Sequence, residues 1–103
     1  MLGLALPSYA AYAATKGGVE AITLILAREM RGRDVTVNAI APGPTATALF
    51  RNGKDGETSA RFAAQPPLER LGLPSDVAEL VAFLAGPGHW VNGQVLRING
   101  GIA

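Results

Sequence analysis

The chain has no cysteine and few charged residues, and both shortages restrict what it can be. Without Cys among its 103 residues it has no disulfides and no thiolate metal sites. This is typical of a reducing compartment, so we expect a cytoplasmic protein. Nine basic residues against eight acidic ones give a net charge of +1. The basic patch of a nucleic-acid-binding domain is therefore missing, and we expect no nucleic-acid partner.

The amino-terminal stretch also lacks the features of a targeting or membrane segment. The sequence MLGLALPSYAAYAATK has no basic residue ahead of its apolar part and reaches Pro7 after six residues. A secretory leader begins with basic residues, and a membrane-spanning helix needs about 20 apolar ones. We therefore predict neither a leader nor a membrane association.

What is present predicts the order helix, strand, loop, helix, strand. Ser8 is a suitable N-cap for a long helix that Gly32 would end. The stretch DVTVNAIAPG is β-branched, almost uncharged and non-alternating, which is typical of a buried parallel strand. The predicted segments are a helix within 1–32, a strand over 34–43, an excursion over 44–73 with a short helix at Ser59–Ala64, a helix over 74–86 and a strand over 93–99.

Two features of the first helix predict how it packs. Val19, Ile22 and Leu26 form an apolar stripe that should face a core. Gly17 and Gly18 each cost about 1 kcal/mol relative to Ala inside a helix. Such a cost is usually offset by the close approach of another backbone, which we predict here in preference to simple local tolerance.

One pair of side chains on this helix could do chemistry. Tyr12 and Lys16 are four residues apart, so they share a helical face with Cβ atoms about 5–6 Å apart. A nearby ammonium favours the phenolate and lowers a tyrosine pKa. Such a tyrosine can exchange a proton with a carbonyl or alcohol oxygen. Tyr9 lies seven residues from Lys16, which is too far. Alone, the spacing is a weak motif, and its default interpretation is a tyrosine packed beside a solvated lysine.

The surroundings of this pair strengthen the functional interpretation. PSYAAYAATKGGVEAITLILAREM followed by VTVNAIAPGPTAT strongly resembles the short-chain dehydrogenase/reductase family. In that family a Tyr-x-x-x-Lys helix precedes a strand ending in Asn-x-x-x-Pro-Gly, matched here by Asn38, Pro42 and Gly43. The stretches PLERLGLPSDVAELVAFLAG and VNGQVLRINGG resemble the family's last helix and strand, with Asn99 where Asp is common. The resemblance covers essentially the whole chain.

The resemblance implies an α/β fold, the C-terminal portion of a Rossmann-like doubly wound domain with two parallel strands in this chain. It also implies NAD- or NADP-dependent interconversion of a small-molecule alcohol and its carbonyl compound. Tyr12 would be the general acid/base and would also contact the cofactor. Lys16 would bind the nicotinamide ribose and would take part in catalysis by lowering the pKa of Tyr12. The resemblance adds four cofactor-binding residues: Pro42, Gly43, Thr45 and Thr47. For the two threonines, helix capping after a turn is the alternative. The excursion over 44–73 would be the substrate lid, and its residues identify no substrate.

Other parts of the family's machinery are missing from this sequence. No Gly-x-x-x-Gly-x-Gly phosphate loop occurs, nor does an Asn-Asn-Ala-Gly segment. The family's catalytic serine would fall before Met1. We therefore expect a truncated chain that is inactive by itself. The alternatives are a non-catalytic module that docks on a full-length family subunit, and an enzyme that assembles its site across an oligomer. In each case the uncovered apolar surface predicts a homo-oligomer or association with other family chains.

The turn that contains His89 and Trp90 carries no further chemistry. His89 has no second metal ligand at a useful spacing, so we predict no metal site and a surface histidine. Trp90 is better explained as an anchor for the tail or a subunit contact than as a stacking platform.

Overall fold

Three helices and two short parallel strands make up the computed structural model, which describes residues 10–47 and 56–103. In chain order the elements are α1 (Ala10–Glu29), β1 (Ala39–Pro42), α2 (Gly56–Ala64), α3 (Pro74–Ala85) and β2 (Val95–Ile98). The α/β class and the predicted element order are confirmed. The N-cap predicted at Ser8 and part of the excursion lie outside the described residues.

Helix ends follow local sequence signals. Beyond Glu29 the chain turns through Gly32, whose φ of +82° is the left-handed conformation that glycine adopts without strain. Pro74 is the first residue of α3, where its missing N–H costs nothing. The described start of α2 is three residues before the predicted Ser59.

The two strands pair in parallel, with Ala39 opposite Val95 and Pro42 opposite Ile98. The first strand is shorter than predicted, because residues 35–38 do not join the ladder. There the Val37 amide instead donates to the side chain of Asn92 at 2.9 Å. The second strand is also shorter than the predicted 93–99. Parallel pairing is confirmed, but the prediction of a buried strand is wrong for the described residues, since β1 is half-buried at best.

The core is small and lies on a different face of α1 from the predicted one. Only Thr23 and Ala27 are buried in this helix, and the backbone at Gly93 packs against Leu24 and Ala27. Val19 and Ile22, which the apolar stripe assigned to the core, are each 50% exposed. The close approach predicted at Gly18 is also wrong, because a Cβ there would meet no described atom within 4 Å.

The exposed apolar face of α1 predicts self-association of the isolated chain. Ile22 and Ile25 are at least half exposed, and covering the rest of each is worth about 1 kcal/mol. Replacing both by Lys should weaken association by about tenfold or more, measured by sedimentation velocity. Glu29→Lys is the control, since it changes the net charge by the same two units without removing apolar surface. A wild-type chain that stays monomeric at high concentration would contradict this prediction.

Candidate functional site

A groove between α1 and β1 contains the predicted acid/base pair. Its cavity volume is about 170 Å³. The helix contributes Tyr12, Lys16, Val19 and Glu20, and the sheet contributes Ala39, Ile40, Ala41, Pro42 and Val95. Because the groove extends to Pro42, the last residue of β1, it reaches the carboxyl end of the strand. Ligands of open α/β sheets bind at that end of the strands.

Tyr12 and Lys16 are neighbours in this groove. The Lys16 Nζ atom lies 5.4 Å from the centroid of the Tyr12 ring, over its face. That is a cation–π arrangement, which fixes the ammonium close to the aromatic ring. Tyr12 remains 46% exposed, so its side chain is accessible from solvent. The pair predicted from the four-residue spacing therefore lies together on one accessible surface.

The four further residues that the family resemblance assigned to cofactor binding lie in separate places. Pro42 lines the groove with Tyr12 and Lys16. Gly43 directly follows β1 and lies beside the end of β2, where its amide donates to the Ile98 carbonyl at 3.0 Å. A Cβ on Gly43 would stand 2.7 Å from Asn99 Cβ and 3.0 Å from Asn99 Cα. Glycine at this position is therefore required by a close backbone approach.

Thr45 lies in a neighbouring cavity of about 250 Å³ rather than in the groove. Its Oγ1 atom donates to the Gly43 carbonyl at 2.9 Å. The Thr47 amide donates to the Thr45 carbonyl at 2.8 Å, so a tight turn joins the two threonines. Neither threonine lines the groove around Tyr12.

The two ends of the excursion, near Thr45 and Gly72, are hydrogen-bonded to each other. The Gly72 amide donates to the Pro44 carbonyl at 2.9 Å, and the Ala46 amide donates to the Gly72 carbonyl at 2.8 Å. These two bonds form an isolated parallel bridge between Thr45 and Gly72. Both ends of the excursion are thereby held beside the carboxyl ends of the strands.

An ion pair beside this bridge was missed by the sequence analysis. Arg70 donates from both terminal nitrogens to the Asp76 carboxylate, at 2.8 and 3.2 Å. The same carboxylate accepts the amide of Leu73 at 2.7 Å, immediately before α3. The Arg70 guanidinium, and then the Leu73 amide, lower the pKa of Asp76. The pair connects the end of the excursion to the start of α3.

The Asp76 charge should make part of the stability of the chain depend on pH. Because the folded pKa of Asp76 is below its unfolded value of about 4, its contribution is complete above that value. The contribution is lost as the pH falls through the folded pKa. Asp76→Asn should therefore lower the melting temperature at pH 7, and the difference from wild type should shrink below pH 4. Circular dichroism melts from pH 2 to pH 7 measure this.

The matched control for this prediction is Glu57→Gln. That change removes the Glu57–Arg61 pair, which is 3.8 Å long with side chains 81% and 75% exposed. Exposed pairs of this kind contribute almost nothing to stability. An Asp76→Asn chain that loses the same stability at every pH would contradict the assigned charge effect.

Two more residues have contacts in the structure that the sequence analysis did not predict. Asn38 accepts the Gln94 amide at 3.1 Å and donates to the Val91 carbonyl at 3.0 Å. It thus ties the approach to β1 to the turn before β2. Its place in the Asn-x-x-x-Pro-Gly motif was the signal that could have identified it. Glu20 lines the groove four residues beyond Lys16, a spacing that the sequence already displays.

The turn after α3 agrees with the sequence analysis in one respect and corrects it in another. His89 is a surface residue, paired through Nε2 with Asp34 Oδ1 at 2.7 Å. Trp90 is 99% exposed, so it does not anchor the tail within the described part of the chain.

In residues 10–47 and 56–103 no group of three metal-ligating side chains occurs. Over the same ranges no helix is long and apolar enough to cross a membrane.

Comparison with known proteins identifies the family. A family model described as enoyl-(acyl carrier protein) reductase matches residues 2–103. A chloroplastic NADPH-dependent aldehyde reductase-like protein of Arabidopsis thaliana is 49% identical over 96 residues, covering 92% of this chain and 36% of that protein. A short-chain type dehydrogenase/reductase of Picea abies is 49% identical over 102 residues, covering 98% of this chain and 38% of that protein.

Solved structures agree with these sequence relatives. A short-chain dehydrogenase/reductase from Brucella melitensis superposes with a TM-score of 0.87 at 32% identity, over 99% of this chain and 41% of that one. A blue fluorescent protein from a metagenomic library was solved in complex with NADPH. It superposes with a TM-score of 0.78 at 42% identity, and the match covers 89% of this chain and 37% of the fluorescent protein. The chain spans about two fifths of the length of these relatives. It belongs to the short-chain dehydrogenase/reductase family.

Proposed function

We propose that this chain supplies the proton-transfer half of an NADP(H)-dependent oxidoreductase that interconverts a small alcohol and its carbonyl compound. The observation that carries the proposal is the groove in which Tyr12 and Lys16 meet Pro42 at the carboxyl end of β1. Support for NADP over NAD comes from relatives, two of which bear the name NADPH-dependent aldehyde reductase. One of the superposed structures also contains NADPH.

The residues in the groove fit a nicotinamide nucleoside. Lys16 offers an ammonium with three N–H donors, which suit ribose hydroxyls. Pro42 and Ala41 give the groove an apolar wall at the strand end, which suits the face of a planar ring. The cofactor supplies or accepts the hydride when it is bound. We assign ribose binding to Lys16 and the ring wall to Pro42.

We assign proton transfer to the Tyr12 hydroxyl. In the reductive direction its phenol O–H donates a proton to the carbonyl oxygen of the substrate as that oxygen becomes a hydroxyl. In the oxidative direction the phenolate oxygen accepts the proton of the alcohol. Tyr12 is 46% exposed, so its side chain is accessible from solvent. The Lys16 ammonium lies over the Tyr12 ring, 5.4 Å from its centroid, so both side chains are available in the same groove.

The proposal gives smaller roles at the cofactor site to Gly43, Thr45 and Thr47. Gly43 lets the chain pass Asn99 closely, which sets the path of the backbone after Pro42. Thr45 already donates its hydroxyl proton to the Gly43 carbonyl, so it offers a cofactor only acceptor lone pairs and backbone. For Thr47 we propose contact with the cofactor from the start of the excursion.

Turnover requires more than this sequence contains. The chain has no glycine-rich phosphate loop of the pattern Gly-x-x-x-Gly-x-Gly. We therefore propose that residues 1–103 are inactive alone and act within a larger domain of the family, as its C-terminal portion.

A grafted protein tests the function. The 102-residue matched segment of the Picea abies relative is replaced by this chain, and NADPH oxidation is followed by absorbance with small aldehydes and ketones. We expect NADPH-dependent reduction of at least one carbonyl substrate, and none from residues 1–103 alone. A grafted protein that folds and binds NADPH but reduces no carbonyl compound contradicts the proposal.

A further inference from the structure

The excursion returns towards α3 across the turn at residues 99–101, which follows β2. In the described chain between the start of α2 and the start of α3, Pro66 is the only buried residue. A Cβ built on Gly100 would stand 2.9 Å from the Pro66 Cβ atom, so the proline packs against the glycine backbone. The Leu68 amide donates to the Gly100 carbonyl at 3.3 Å, and the Glu69 amide donates to the Pro66 carbonyl at 2.8 Å. The one buried point of this segment therefore lies on the turn.

The turn itself is fixed by side-chain hydrogen bonds and by glycines in the left-handed region. The Asn99 side chain accepts the Gly101 amide at 3.0 Å, and it donates to the Ala103 carbonyl at 3.2 Å. Gly100 and Gly101 have φ values of +65° and +95°, which a residue with a side chain adopts only with strain. A Cβ on Gly101 would stand 3.1 Å from the Pro67 ring. Both glycines thus present a fixed backbone to consecutive prolines of the excursion.

The same turn lies beside the candidate site. Gly43, directly after β1, passes Asn99 so closely that a Cβ on Gly43 would stand 2.7 Å from the Asn99 Cβ atom. Pro42, the preceding residue, lines the groove that contains Tyr12. The excursion also leaves the sheet here, and its two ends meet in a parallel bridge. A ligand at the carboxyl ends of the strands therefore has the excursion as its neighbour.

We propose that the turn at residues 99–101 positions the excursion against the carbonyl substrate, and that Gly100 is the main positioning residue. This inference rests on the proposed function, because it assigns the excursion to the substrate of that same site. Gly100 acts through Pro66 rather than by touching the substrate. The cofactor is assigned to the groove with Lys16 and Pro42, so displacing the turn should affect the carbonyl substrate more than NADPH.

The test compares two alanine substitutions in the grafted protein. Gly100→Ala places a methyl group 2.9 Å from Pro66 and strains a φ of +65°. Gly32→Ala is the matched control, because its φ is +82° but its Cβ would meet no described atom within 4 Å. Gly100→Ala should raise the KM for the carbonyl substrate about threefold or more, with the KM for NADPH within about twofold. Gly32→Ala should leave both constants within about twofold.

Amide hydrogen exchange measures the packing of the excursion without turnover. In the Gly100→Ala protein the Leu68 amide should exchange about tenfold faster than in the unmodified graft, and in the Gly32→Ala protein its rate should stay the same. If Gly100→Ala does not fold, Pro66→Ala removes most of the buried ring from the other side of the contact and should give the same changes. Its control is Pro87→Ala, in the exposed turn after α3.

The outcomes separate this inference from the proposed function. An active graft in which Gly100→Ala leaves the carbonyl KM unchanged, or changes both KM values by the same factor, overturns the inference. Equal acceleration of Leu68 exchange in the Gly100→Ala and Gly32→Ala proteins also overturns it, since backbone strain alone then explains the effect. A graft that binds NADPH and protects the Leu68 amide but reduces no carbonyl compound contradicts the proposed function, and the substrate role of the turn fails with it.

Discussion

Replacing Tyr12 by Phe in the grafted protein is expected to lower kcat for carbonyl reduction by about 10²–10⁴-fold, the usual contribution of a positioned general acid. The substitution removes one oxygen and leaves the ring beneath the Lys16 ammonium. Packing in the groove and the cation–π contact should therefore persist. NADPH affinity, measured by fluorescence titration, should change by less than about threefold. The effect should appear in kcat rather than in binding.

The sequence provides its own control for this experiment. Tyr9 is the only other tyrosine of the chain, and Tyr9→Phe removes the same oxygen three residues away. It should leave kcat within about twofold of the unmodified graft. Equal losses in the two variants, or a Tyr12→Phe enzyme with unchanged kcat, contradict the assignment of Tyr12 as proton donor.

Lys16 should give a different pattern of loss. Lys16→Met keeps the length of the stem but removes the ammonium, so ribose binding and the charge over the ring disappear together. We expect a higher KM for NADPH as well as a lower kcat, measured in the same assay. Lys16→Arg retains a cation and should restore part of both. A variant with normal KM for NADPH would remove Lys16 from cofactor binding.

Local signals predicted the helices well because helix ends depend on neighbouring residues. Gly32 and Pro74 act through their own backbone, and both boundaries lie close to the predicted positions. The Tyr12–Lys16 pair was predictable for the same reason, since a four-residue spacing on one helix fixes which side chains are neighbours.

Burial could not be predicted from local sequence signals, because it depends on which distant residues pack against a surface. The stripe of Val19 and Ile22 indicated a core face, yet the described residues bury Thr23 and Ala27 instead. The strand DVTVNAIAPG indicated burial on both sides, and β1 is half-buried with one neighbour. We explain both patterns by the proposal that the chain acts within a larger domain of the family. An apolar pattern in a sequence indicates that a face packs against other residues, but it does not identify those residues.

The remaining parts of the site depend on contacts distant in sequence. The bridge between Thr45 and Gly72 joins residues on either side of the excursion, and it places Thr45 in a separate cavity from Tyr12. The family resemblance had assigned Pro42 and Thr45 to one cofactor site. The bidentate pair of Arg70 and Asp76 is six residues apart and spans a helix start, so no helical periodicity indicates it.

Alanine at two glycines should produce stability changes of opposite sign. At Gly43 a methyl group would meet the backbone and Cβ of Asn99 at 3.0 and 2.7 Å, so the ends of β1 and β2 must separate. We expect Gly43→Ala to lower the free energy of unfolding by about 1–3 kcal/mol, the usual cost of overpacking. At Gly18 a methyl group has open space within α1, and Gly18→Ala should raise the free energy of unfolding by about 0.5–1 kcal/mol.

Urea unfolding followed by circular dichroism measures both changes, in the Ile22→Lys/Ile25→Lys background to limit association. The comparison is informative because both variants add one methyl group to a glycine. If Gly18→Ala destabilises the chain, the added methyl group does not occupy open space, which contradicts the assignment at Gly18. If Gly43→Ala is neutral, the strand ends move apart without cost. In that case the contact with Asn99 does not fix the backbone after Pro42, and the wall assigned to the nicotinamide loses its structural support.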